Sequence, residues 1–168
     1  MPSIQKVPVP ADSLLDRYSS MRGAYIDSHL TEIRGHVSVH EFIFAFYMTP
    51  LFKLERLILW TLSLPSTDMQ AKQLADGTGE RFGAWIVEGI GEHELLLCDV
   101  FRRTRSWLMA IDSDMQTRLY FGYAVVPKKG KTSLEFGSRM LLRFHGLYSV
   151  MLLYAAALRI SRRPHTIS

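Results

Sequence analysis

The sequence predicts an α+β protein: a curved antiparallel sheet with a helix pair after its first strand and a long C-terminal helix packed on the concave face. Three observations predict it. Alternation at Tyr25–Arg34 precedes two capped helix starts, period-two texture fills the stretch from Gly79 to Val126, and an apolar helical stretch at 139–160 closes the chain. That order tends to leave a pocket between sheet and final helix.

The elements follow in turn. Residues 1–20 read as a proline-containing lead-in with a short helical turn at 11–17, and 21–163 as one domain. Tyr25–Arg34 alternates as a first strand and Gly35 ends it. Ser38-Val39-His40-Glu41 has capping-box spacing, in which the serine hydroxyl takes the Glu41 amide and the carboxylate reaches back, so a helix starts at Val39. Thr49-Pro50 starts another, with threonine as cap and proline where its missing N–H does no harm; it should run over 50–62 until Pro65 breaks it. Ser66-Thr67-Asp68 caps a shorter helix over 69–75, which Gly77 terminates.

Four strands are expected after Gly79: 81–90, 94–100, 104–111 and 117–126. Their turns fall at 89–92, near 101–103 and at Asp112-Ser113-Asp114. In the last strand Leu119, Phe121, Tyr123 and Val125 share one face, while Tyr120, Gly122, Ala124 and Val126 share the other. Apolar residues on both faces predict a sheet covered on both sides.

Composition bounds the rest. Over 168 residues, 48% hydrophobic and 21% charged describe a folded chain and not a disordered one. The net charge of +4 is concentrated in Arg102, Arg103 and Arg105, in Lys128, Lys129 and Lys131, and in Arg159, Arg162 and Arg163. Such clusters either solubilise a surface or attract anionic lipid headgroups. No nucleic-acid-reading motif accompanies them. The single Cys98 sits in an apolar run and reads as a small buried hydrophobe. No apolar signal core follows Met1, which points to the cytoplasm of a bacterium-like cell. The uncharged stretch 146–158 is shorter than the ~20 residues a membrane span needs.

A wider pattern is carried by Phe46-Tyr47-x-x-Pro50-Leu51-Phe52-x-Leu54-Glu55-Arg56, Arg81-Phe82-x-x-Trp85, Thr104-Arg105-Ser106-Trp107-Leu108-Met109 and Thr117-Arg118-Leu119-Tyr120-Phe121-Gly122. Over about residues 40–160 the chain resembles an uncharacterised bacterial family near the helix-grip superfamily, which includes START-like lipid-transfer domains and polyketide cyclase-like proteins. The resemblance implies a fold and a cavity. It implies no catalytic residue.

Chemistry has few candidates. His36-x-x-x-His40 has metal-like spacing, but Ser38 caps the helix between them and no third ligand completes a site, so no metal and no cofactor are expected. Asp99 and Arg105 are charges set in apolar strand sequence, either paired across a hairpin or anchoring a ligand's anionic group. Trp85, Trp107, Met109, Phe121 and Tyr123 on strands, and His145, Tyr148 and Met151 on the last helix, complete the candidate pocket lining. Phe42, Phe44, Phe46 and Phe52 are candidates for an entrance lid. The leading expectation is an internal pocket for an apolar or amphipathic small molecule, lipid-, isoprenoid- or aromatic-like. The alternatives are a cyclase- or hydrolase-type enzyme, needing two of Asp99, Arg105, Tyr123 and His145 to converge, or a module that self-associates as a homodimer or touches an anionic membrane.

Overall fold

A computed structural model describes residues 2–53, 65–127 and 136–162, the backbone alone for 136–145. The chain is α+β. Seven strands form one sheet in the order β1-β2-β7-β6-β5-β4-β3, every neighbouring pair antiparallel. They are β1 Gln5–Lys6, β2 Tyr25–Arg34, β3 Arg81–Phe82, β4 Trp85–Ile90, β5 Glu94–Asp99, β6 Thr104–Ser113 and β7 Gln116–Val125. Strands β3 to β7 meander, and β7 then pairs with β2 along all ten residues, from Tyr25↔Val125 to Arg34↔Gln116. Two-residue strands lie at both edges, and each pairs with only two residues of its neighbour, β2 or β4.

The helices start where their caps direct. In α1, Val39–Tyr47, the Ser38 Oγ accepts from the Glu41 amide at 3.2 Å while Glu41 Oε2 accepts from the Ser38 amide at 3.0 Å. Thr49 Oγ1 accepts from the Phe52 amide at 3.2 Å and its carbonyl takes the Lys53 amide, so a helical turn begins at Pro50; the expected continuation past residue 53 lies outside the described residues. Thr67 and Gln70 form a second capping box for α2, Asp68–Ala75, and Gly77 follows at φ +72°. The final helix, α3, spans Phe136–Ser161. Among the described residues no helix is long and apolar enough to cross a membrane.

Two expectations need correction. The single strand over 81–90 is a hairpin, because Gly83 at φ +57° opens a two-residue turn between the paired Phe82 and Trp85. The turn expected at 112–114 is two residues, Asp114 and Met115, since Ser113 still pairs with Gln116. The lead-in contains β1 and a short 3-10 turn at Asp16–Tyr18, and it packs onto the sheet.

That packing creates two cores, one on each face of the sheet. Toward α3 lie Leu95, Leu97, Leu108, Ala110, Leu119 and Phe121, against Phe42 and Phe46 of α1 and Leu152, Leu153, Ala156 and Ala157 of α3. On the opposite face Leu96, Trp107, Met109, Ala124 and Val126 are covered by Leu15 and Tyr18, with Val9 and Leu14 beside them. Both faces are covered, as the alternation predicts. Gly122 marks how close the cover sits: a Cβ there would fall 2.6 Å from Leu15 Cδ2 and 2.9 Å from the Asp27 carbonyl oxygen, so only glycine fits.

Candidate functional site

On the α3 side, the open end of the sheet meets the helices in a small recess. Period-two alternation and the register Ser106↔Tyr123 place Trp85 of β4, Thr104 and Ser106 of β6, and Phe121 and Tyr123 of β7 on this face. From above, α3 contributes Tyr148, Ser149 and Leu152; Phe46 and Phe52 close the side, the Phe46 ring 4.7 Å from that of Phe121. The enclosed volume is about 40 Å³. Its chemistry is an apolar wall with polar tips. Ser149 and Tyr123 are each 2% exposed, and the buried Trp85 Nε1 has no hydrogen-bond partner among the described residues. Burial raises the Tyr123 phenol well above its ordinary value, so it stays protonated. Larger hollows exist as open surface grooves, one along the β2 edge at Gln5, Glu32 and Arg34 and one around the β6–β7 turn.

The ten residues expected to line a pocket therefore separate. Trp85, Phe121, Tyr123 and Tyr148 border the recess. Met151 is 48% exposed, and the side chain of His145 lies outside the described residues. Trp107 and Met109 belong to the opposite core, where Trp107 Nε1 donates to Glu94 Oε2 at 2.6 Å.

Asp99 and Arg105 do not pair with each other. Register decides this: Cys98 lies opposite Arg105, so Asp99 and Arg105 fall on different faces. The Asp99 carboxylate instead accepts from the Arg103 amide at 2.7 Å and the Thr104 amide at 3.1 Å, holding the turn in which Arg102 sits at φ +57°. Arg105 borders the recess but sends its guanidinium to the far face, where Nε donates to Tyr18 Oη at 2.8 Å and Glu88 Oε2 at 3.0 Å. Of the groups proposed for an enzyme, the polar ends of Asp99, Arg105 and Tyr123 do not converge, and the side chain of His145 lies outside the described residues. Of the lid candidates, Phe42, Phe46 and Phe52 are buried in the core, and the last two still edge the recess.

Sequence reasoning missed Thr104, Ser106 and Ser149. Small hydroxyl residues leave no hydrophobic signal, and only the register with Tyr123 locates the two on β6. No group of three potential metal ligands occurs among the described residues. His36 Nδ1 lies 3.3 Å from Asp112 Oδ2, whereas His40 contacts the Ala75 carbonyl. Cys98 is 8% exposed, and burial pushes its thiol up to about 11. Its reaction with an aromatic disulfide reagent should be slow in buffer and fast in urea; rapid labelling of the folded chain would contradict this environment.

A buried polar column runs beside the recess on β2. Asp27, His29 and Thr31 pair with Tyr123, Phe121 and Leu119 and are 6%, 6% and 1% exposed. Lys6 Nζ reaches Asp27 Oδ1 at 2.9 Å, but His29 Nδ1 and Thr31 Oγ1 have no hydrogen-bond partner among the described residues. Burial holds the His29 imidazole below its ordinary 6.5, the pull of Asp27 notwithstanding. The unfolded chain then takes up the proton before the folded one does. Stability should be complete above about pH 6.5 and decline as the pH falls below it. Urea midpoints should drop between about pH 7.5 and about pH 5.5, and His29→Gln should flatten that dependence. An unchanged slope would remove His29 from the account.

Comparison with known proteins assigns no family. No family model matches the chain, and no curated protein does. Among solved structures it is similar to a conserved protein of unknown function from Enterococcus faecalis, at 12% identity and TM-score 0.40 over 91% of this chain and 86% of that one. A protein from Mycobacterium smegmatis gives 12% identity and TM-score 0.38 over 84% and 92%. CalU16 from Micromonospora echinospora gives 14% and 0.39 over 99% and 86%. Likenesses at this level carry no argument about activity.

Proposed function

We propose that the protein binds a small apolar or amphipathic molecule between the sheet and α3, in a helix-grip-like arrangement. The observation that carries the reading is the buried indole N–H of Trp85, without an acceptor among the described residues at the edge of a largely apolar recess. A buried donor without a partner costs about 1–3 kcal/mol, so an occupant with an acceptor oxygen would recover that cost. The return of β7 to β2, with one long helix lying across the same face, supports the helix-grip assignment.

Size sets a condition. About 40 Å³ has room for a water or two, whereas drug-sized ligands occupy roughly 300–1,000 Å³. A ligand of that class enters by displacing the Tyr148–Leu152 side of α3, and binding widens the recess. Native mass spectrometry and solvent extraction of gently purified protein should reveal a bound organic mass. The same compound should shift the fluorine resonance of fluorotryptophan at Trp85 and leave that of Trp107 in place. If no mass co-purifies, and a panel of lipids and aromatic acids leaves Trp85 unmoved, the reading fails.

A further inference from the structure

Between residues 147 and 158 the outward side of α3 carries no charged residue, an arrangement that calls for a cover. Leu147 is 65% exposed and Met151 48%, one helical turn apart. Tyr154 and Leu158, both partly buried, continue the stripe at spacings of three and four. Leu152, Leu153, Ala156 and Ala157 meanwhile hold the inner face on the sheet.

Charge identifies the cover. Arg159 and Arg162 are exposed at the end of the stripe. Arg139 and Arg143 stand in the opening turns of the helix, and Lys128, Lys129 and Lys131 precede it in the chain. No Asp or Glu occurs anywhere from Phe136 to the C-terminus. A second copy docking through this stripe would bring arginine against arginine in either orientation. An apolar strip bracketed by cations matches an anionic bilayer surface, and the uncharged stretch 146–158 is too short to span one but long enough to lie along it. We propose that α3 seats the protein on anionic membrane, with Leu147 and Met151 in the acyl boundary and Arg159 and Arg162 among the headgroups.

Flotation of the full chain with vesicles of phosphatidylcholine, with and without phosphatidylglycerol, tests the proposal. Binding is expected on the anionic vesicles alone, weakening as salt rises. Leu147→Glu with Met151→Glu should reduce it to background. Arg159→Gln and Arg162→Gln should each weaken it about fivefold. Both pairs alter exposed positions, so their thermal unfolding should match the parent's; should the glutamate pair unfold, the arginine pair still decides. Failure to float with anionic vesicles overturns the proposal, as does binding indifferent to the arginine pair. So does a dimer in light scattering that Leu147→Glu dissociates, which would assign the stripe to a second copy.

Discussion

Leu15→Ala is expected to lower the free energy of unfolding by about 2–5 kcal/mol, the cost of a large cavity in a packed core. Leu15 has no exposed surface, and its methyl lies where a Cβ at Gly122 would clash, with Trp107 on the same floor. It belongs to a stretch rich in proline and turns that would ordinarily be expected to trail free in solvent, where such a change costs within ~0.5 kcal/mol. Urea denaturation separates the two outcomes cleanly. A change of several tenths or less would show that residues 9–18 are not a cover of the sheet. A loss of several kcal/mol from a total of roughly 5–15 makes the segment part of the cooperative unit.

The second large effect concerns Arg105. Its side chain is 12% exposed, bonded to Glu88 and Tyr18, with the guanidinium carbon 5.0 Å from the Tyr18 ring centroid and Nη1 donating to the Arg102 carbonyl. Tyr18 Oη in turn donates to the other Glu88 oxygen. Removing the arginine leaves a mostly buried carboxylate whose one remaining cationic neighbour among the described residues is Arg17, 3.8 Å away. Arg105→Ala should therefore cost about 3 kcal/mol, the low end for breaking a buried pair. Replacing both partners, Glu88→Leu with Arg105→Met, should cost less than the single change, because no uncompensated charge remains. A double variant weaker than Arg105→Ala would instead assign the energy to packing on Tyr18. Because the network lies on the face opposite the recess, Arg105→Met should leave the Trp85 environment unaltered.

Local chemistry was legible in the residues and register was not. The β2 limits, the Ser38–Glu41 capping box and the cap at 66–68 follow from neighbours within a few positions, so short-range pattern reaches them. The β3–β4 hairpin escaped notice because Gly83-Ala84 sits between Phe82 and Trp85, and alanine does not announce a turn. The covering segment escaped because Leu14, Leu15 and Tyr18 follow no period in a run of bends. At the candidate site Trp85, Phe121, Tyr123 and Tyr148 were foreseeable from alternation and aromatic content. Trp107 was not separable from them until the pairing Trp107↔Gly122 fixed which side of the sheet each residue occupies. Asp99 shows the same limit: its charge was visible, but its acceptors' partners are backbone amides at a turn.

The marriage of β2 to β7 has a consequence for how the chain reaches its native state. Tyr25 finds its partner only at Val125, so during synthesis β2 leaves the ribosome long before its ten-residue partner β7 exists. Its loop-closure cost is met late, and such distant pairing makes for a slow search. Until the meander arrives, the nascent segment presents a bare strand and the uncovered aromatics of α1, a state in which holdase chaperones would find ready purchase.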